Sequence, residues 1–385
     1  MTSLPARPAD PIAFVDLKAQ RRRLGSAVDE AILAVVNHGG YVSGPEVLQL
    51  ESELARWSDA KHVISCASGA EALIMMMMAK GIKPGDAVFC PSFTFAATVA
   101  AIVLLGATPV YCEVSGDDFN LEPESLKAAI PAAKAAGLNP VGVIPVDLFG
   151  QAADYPAINA IAAENGLWVL ADAAQSFGAR LDNRPVGALA AASITSFFPA
   201  KPLGCYGDGG AIFCDDDELA AVLRSIRVHG QSPTDKYEQQ RVGVTGRLDT
   251  IQAAVLIEKL RIFESEIETR NLAADRYSAG LADLVSVPRL KSGRTSVWAQ
   301  YTIQVKNRDA VQAALKDLGV PAMIYYSRPQ HTQPPYKHGL ISPSGLAVTE
   351  RLAGEVLSLP MHPYLSADVQ DYIIAATRKA IQDNR

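Results

Sequence analysis

The chain has 385 residues, 49% of them apolar and 20% charged, the composition of an ordinary soluble globular enzyme with room for a large core and two lobes. A net charge of −6 argues against nucleic acid and anionic membrane as partners, because both demand concentrated Lys and Arg. The opening MTSLPARPADP is polar and proline-rich, and LIMMMM at 73–78 is far too short to span a bilayer, so no membrane segment is expected.

In chain order, short apolar runs predict strands at 62–66, 87–90, 108–112, 141–146, 167–171, 193–197 and 210–214. Helical spacing predicts helices at 46–57, 69–80, 95–105, 123–135 and 154–165 between them. In the first, Val47, Leu50, Leu54 and Trp57 recur on one face behind Pro45. Such alternation predicts a mainly parallel sheet covered on both faces. The loop 230–245 is polar and reads as mobile. One long helix from Arg247 to about Asn271, with Leu248, Ile251, Val255 and Ile262 on one side, is expected to link two lobes. A strand near 299–305, a helix near 308–318, a strand near 321–325 and a helix near 366–382 then read as a smaller α/β domain. The division is 1–250 for the large domain and 251–385 for the linking helix and small domain. Cys66, Cys90, Cys112, Cys205 and Cys214 form no C-x-x-C pair and read as reduced, buried thiols, which places the protein in the cytoplasm.

The stretch SFFPAKPLGCYGDGG, residues 196–210, puts Lys201 in a tight turn between apolar runs, crowded by small residues and prolines. A lysine that serves only solubility needs no such setting. One that attacks a carbonyl needs a fixed place and partial desolvation to free its amine. Asp172, in VLADAAQSFGA, ends an apolar run that reads as a buried strand. It could serve merely as an N-cap for the segment that follows, yet a strand-end carboxylate also faces the usual ligand crevice of an α/β sheet. Lysine and aspartate so placed suit pyridoxal phosphate, with Lys forming the Schiff base and Asp holding the pyridinium nitrogen. SCASGAEAL, residues 65–73, reads as strand, glycine turn and helix start, a place where backbone N–H groups at Gly69 and Ala70 can hold a phosphate.

With these motifs the chain resembles the DegT/DnrJ/EryC1/StrS family of sugar-nucleotide aminotransferases, from FVDL at Phe14 to SLPMHPYL ending at Leu365. The lysine segment is most similar to that of members acting at C3 of a UDP-linked 3-keto N-acetylhexosamine or its uronic acid. The resemblance implies the aspartate aminotransferase-like α/β fold (fold type I), with pyridoxal 5′-phosphate as cofactor and no metal. It implies that Lys201 is catalytic, that Gln175 bonds the cofactor's phenolic oxygen, and that Ser196 reaches the phosphate. Phe95 stacks on the ring, with Phe93 as the fallback two residues away. Ala70 stands where relatives often carry Thr or Ser, and Thr245 where they carry Asn to contact the phosphate. Arg241 and Arg247 flank a loop that in the family crosses to the neighbouring subunit, so a homodimer with shared sites is implied. In IYYSRPQHTQPPY, Tyr325 replaces the usual His and Tyr326 matches; with Arg328 and His331 these are candidates for the sugar and diphosphate.

The implied reaction moves an amino group from an amino acid, L-glutamate, to C3 of a UDP-linked 2-acetamido-3-keto sugar, the uronic acid first. Its setting is the synthesis of cell-surface polysaccharide or lipopolysaccharide precursors. Alternatives are UDP-3-keto-N-acetylglucosamine or a 4-keto nucleotide sugar. A sugar dehydratase on this fold replaces the Schiff-base lysine by histidine, which Lys201 argues against. A regulatory relative has no need of Lys201, Asp172 and Gln175 together. A nicotinamide dehydrogenase lacks support, since no G-x-G-x-x-G follows a predicted strand.

Overall fold

The computed structural model describes residues 4–384; the first three residues of the proline-rich opening and Arg385 lie outside them. Eight strands form the large sheet in the order His62–Cys66, Gly210–Cys214, Ala192–Ser196, Trp168–Asp172, Asn139–Val143, Asp86–Pro91, Thr108–Cys112 and Leu340–Ile341. Only Gly210–Cys214 runs against its two neighbours; every other pairing is parallel.

Burial on both faces explains why these strands read as unbroken apolar runs. Ile64, Val88, Leu170, Ile194 and Ile212 pack under the helices Gly69–Ala79 and Ala96–Leu104. Phe89, Val110, Val143 and Val169 pack on the other side with Pro123–Ala135 and Tyr155–Glu164. Local signals place the helix starts. Ser68 caps Gly69–Ala79 through Glu71 N–H at 3.0 Å, Asp154 caps Tyr155–Glu164, and prolines open Pro45–Ser58 and Pro123–Ala135.

The long helix runs Thr250–Leu281, 32 residues rather than the predicted 247–271. Its apolar positions simply continue at Ala273, Ala274, Tyr277 and Leu281. Nor is one side alone buried. Ala253, Leu256, Leu260 and Phe263 pack toward the sheet, while Val255 joins Leu24 and Val28, and Leu248 is buried just ahead of the helix. Phe263 stacks on Phe177 at 6.0 Å between centroids, and Phe177 on Phe213 at 5.5 Å, which welds the helix to the strand Gly210–Cys214. Its far end enters a second core of Tyr277, Tyr301, Ile303, Leu315, Leu357 and Ile373. Around that core lie the antiparallel strands Tyr301–Gln304 and Val356–Leu359 with the helices Arg308–Asp317 and Ala367–Asp383.

Two predicted strands are corrected. The run at 141–146 stops as a strand at Val143, because Pro145 has no N–H; Val146 makes only an isolated bridge to Asp172. Residues 321–325 are not a strand: Met323 alone bridges Ser358 before the chain turns. Helices Leu17–Leu24, Ala27–His38, Asp217–Ile226 and Ala347–Glu355 were not predicted, nor were the strands Leu340–Ile341 and Val356–Leu359. Leu340–Ile341 is too short to announce itself, and LKAQRRRL buries only Gln20 and Leu24. The five cysteines are free and buried, and among the described residues no helix is long and apolar enough to cross a membrane.

Candidate active site

Parallel strands place their C-terminal ends at one edge of the sheet, where ligands of α/β folds bind. There a cavity of about 440 Å³ is lined by Gly69, Ala70, Phe95, Asp172, Gln175, Ser196, Lys201, Tyr325 and Tyr326. Nine of the residues predicted from the sequence thus meet in one place.

Lys201 reaches the cavity on a turn wrapped tightly by its own backbone. Phe197 N–H bonds Gly209 O at 2.7 Å, Lys201 N–H bonds Phe198 O at 2.8 Å, and Cys205 N–H bonds Phe197 O at 2.8 Å. A Cβ on Gly204 would stand 2.6 Å from the carbonyl oxygens of Phe198 and Pro199, so the turn requires glycine there. Burial lowers the Lys201 amine from its ordinary 10.5 to about 8, with Asp172 pulling the other way. Such an amine is partly neutral near physiological pH, as a nucleophile or base must be.

Asp172 ends its strand at 5% exposure. Thr98 Oγ1 donates to its Oδ2 at 3.0 Å and Ala174 N–H to its Oδ1 at 3.2 Å. Burial pushes the carboxyl up; the Ala174 amide, the Thr98 hydroxyl and Lys201 hold it down. Behind it Asp147, fully buried, takes bonds from Ala153 N–H, Tyr155 OH and Ser176 OH, and burial pushes it up to about 7. Gln175 accepts from Phe149 N–H at 2.8 Å and donates to Tyr326 OH at 3.2 Å, which fixes its amide at the cavity wall.

At the start of the helix Gly69–Ala79 three segments approach closely. A Cβ on Gly69 would lie 2.7 Å from Ser196 Cβ, and one on Gly210 would lie 2.5 Å from Ser68 C. Ser68 takes the N–H groups of Glu71 and Ala72. Among the described residues this leaves the amides of Gly69 and Ala70 as free donors at the helix start. Phe95 is 57% exposed and lies 6.1 Å from the Tyr326 ring, whereas Phe93 is buried in the core, so the ring at the cavity is Phe95.

Five predicted residues stand apart from this cavity in their own chain. Thr245 bonds the His229 ring at 3.0 Å. Arg241 and Arg247 sit on the same loop, which Ala67 N–H ties to Gly246 O at 3.2 Å. Arg328 lies on an exposed turn. His331 is engaged by Ser92 Oγ at 2.8 Å and Glu350 at 3.4 Å, so its ring is committed elsewhere. Other wall residues escaped the sequence reading: Ser68, Thr98, Asp208 and Gln300. Ser68 could have been found as the N-cap of a helix already predicted. Thr98 and Gln300 carry no local signal, since only folding brings them to the site.

These residues fit pyridoxal phosphate. Free amides and a close glycine approach suit its phosphate, a flat exposed ring suits its face, and a buried carboxyl pushed up by burial suits a ring nitrogen that brings the missing positive charge. Gln300 adds a buried Oε1 with no partner among the described residues. Fold and site together define an aminotransferase of the aspartate aminotransferase-like fold. The chain belongs to the DegT/DnrJ/EryC1/StrS aminotransferase family, whose sequence profile matches residues 23–378. It is 47% identical over 95% of its length, and 99% of the relative's, to the UDP-2-acetamido-2-deoxy-3-oxo-D-glucuronate aminotransferase of Pseudomonas aeruginosa. The UDP-N-acetyl-3-dehydro-alpha-D-glucosamine 3-aminotransferase of Acidithiobacillus ferrooxidans is 36% identical, over 96% of this chain and 98% of that one. A solved DegT DnrJ EryC1 StrS aminotransferase from Brucella abortus superposes with a TM-score of 0.95 at 51% identity, covering 96% and 99% of the two chains.

Proposed function

We propose that this aminotransferase moves an amino group from L-glutamate to C3 of a UDP-linked 2-acetamido-3-keto sugar, the hexuronic acid, with pyridoxal 5′-phosphate as cofactor. The observation that carries the chemistry is the meeting of Lys201 and Asp172 on one cavity wall, the amine brought to about 8 by burial. Support for the substrate comes from the 47% identity to an enzyme named for the 3-oxo-glucuronate.

When bound, the cofactor supplies an electron sink for the carbon that loses its proton. Lys201 Nζ would link the cofactor and, when free, would serve as the base and acid that moves the substrate proton. Asp172 would keep the ring nitrogen protonated. The amides of Gly69 and Ala70 with Ser196 would hold the phosphate, Phe95 would cover the ring and Gln175 would bond the phenolic oxygen. Tyr325 and Tyr326 face the sugar.

Among the described residues Lys201 is the one cation that a single chain places on the cavity wall, which supports the reading that further positive charge for the anionic substrate is supplied by a second copy. The reading is a homodimer in which the loop 241–247, with Arg241, Thr245 and Arg247, completes the neighbour's site. Buried, reduced cysteines suit a cytoplasmic enzyme. The test offers the pyridoxamine form of the protein UDP-linked 3-keto uronate, UDP-linked 3-keto N-acetylglucosamine and a 4-keto sugar. The uronate should react fastest. Preference for the 4-keto sugar refutes C3, and equal use of both 3-keto sugars removes the uronate.

A further inference from the structure

Lys259 takes no part in the chemistry above. This lysine is 1% exposed, on the long helix Thr250–Leu281. A buried ammonium is costly unless something binds it. Among the described residues it has no carboxylate within ion-pair distance. Its Nζ instead donates to Gly204 O at 2.6 Å and lies 4.4 Å from the centre of the Tyr206 ring. Gly204 and Tyr206 belong to the turn that carries Lys201.

The grip has a second point. Seven residues before Lys259, two helical turns along the same face, Gln252 Oε1 accepts from Tyr206 N–H at 2.8 Å. The turn's own bonds, Lys201 N–H to Phe198 O and Cys205 N–H to Phe197 O, close it upon itself; the sheet holds its two ends, and Leu203 and Cys205 pack beside Leu256 and Leu260 of the helix, so the bonds from Lys259 and Gln252 are its polar ties to that helix. The helix spans the molecule, since its side chains enter both the sheet-side core and the second core.

We propose that Lys259 is a positioning residue: its ammonium pins the Gly204 carbonyl and thereby fixes the turn that presents the Lys201 amine to the cavity. The inference rests on the reading of Lys201 as the residue that links the cofactor. It predicts an unusual separation of effects. Methionine, one atom shorter and uncharged, removes the desolvation cost of the charge but leaves the buried Gly204 carbonyl without its donor, two terms that oppose each other in stability. Yet the reactive amine should lose its place.

The experiment uses the full chain as Lys259→Met, with affinities measured for pyridoxal phosphate and for pyridoxamine phosphate. Both fill the same pocket, but only the aldehyde can link to Lys201. Loss of one charge-assisted bond should weaken pyridoxal phosphate by about tenfold or more, with the affinity for pyridoxamine phosphate unchanged. In cofactor-free protein the amides of Cys205 and Tyr206 should exchange faster, while those of Trp168–Asp172 do not. Equal losses for both ligands, or none, overturn the proposal. Should Lys259→Met not fold, Gln252→Ala decides on the same criterion: selective loss of the aldehyde form supports the grip, and equal behaviour overturns it. A Lys201→Ala control keeps the two readings apart. If it binds pyridoxal phosphate as tightly as the unaltered chain, Lys201 itself has been misread.

Discussion

Strip the protein of cofactor and titrate the Lys201 amine by competitive labelling with an amine reagent across pH, following the peptide that contains it. An ordinary lysine titrates at 10.5, whereas burial brings Lys201 to about 8. At pH 7 the free-amine fraction then rises by about 300-fold, from about 0.03% to about 10%, because each unit is a factor of ten. The labelling midpoint, rather than the rate, is the quantity to read, since a weaker base is also a weaker nucleophile. The structure supplies a second, signed expectation. Asp172 is the one charge opposing the shift, so Asp172→Asn removes the anion that favours the ammonium and moves the midpoint further down. Thr98→Val should act in the same direction, because the hydroxyl that holds the Asp172 carboxyl down is lost. A midpoint at the ordinary lysine value, or one that rises in Asp172→Asn, would show that the amine is neither desolvated nor facing the carboxylate.

Three further outcomes are expected. In Gly69→Ala the new Cβ lies 2.7 Å from Ser196 Cβ, so the cradle must open; pyridoxal and pyridoxamine phosphates should both bind about tenfold more weakly by calorimetry, and equal affinity would remove the cradle assignment. Asp147 titrates higher folded (about 7) than in its ordinary state (3.8), so the native state binds the extra proton and wild-type stability should fall as pH rises from about 4 to about 7; Asp147→Asn in urea titrations should flatten that slope, and an unchanged slope would clear Asp147 of it. Mixed Lys201→Ala and Arg247→Ala chains should recover activity through heterodimers, and confirmed subunit exchange without recovery would return the 241–247 loop to its own chain.

The large sheet was legible because strands buried on both faces must be apolar throughout and are spaced by helices with clear caps. The turn that brings Lys201 to the cavity was legible because it is local: fifteen consecutive residues hold both the lysine and the glycines that let the backbone fold under it. The limits are physical too. Leu340–Ile341 pairs with Thr108–Cys112 across more than two hundred residues, and nothing in two residues announces such a partner. The helix Leu17–Leu24 is held by docking, not by an apolar stripe. Gln300 and Thr98 join the cavity only through tertiary folding, and His331, chosen for its chemistry, is spent on Ser92 and Glu350.

The reversed strand Gly210–Cys214 has a consequence for how the reactive loop tolerates change. Because it runs back along Ala192–Ser196, with Ser196 opposite Gly210, the chain leaves the sheet and returns at the same edge. Everything between forms a closed stitch of fixed length, anchored at both feet by the ladder. An inserted residue could not be absorbed by sliding either foot, since a one-residue slip would exchange the two buried faces of that strand and misfit the cores on both sides of the sheet. It would have to be taken up inside the stitch, where Gly204 already lacks room for a methyl group. Natural variation in this segment should therefore exchange side chains while conserving its length, and the loop's reach into the cavity is set by counting residues as much as by their chemistry.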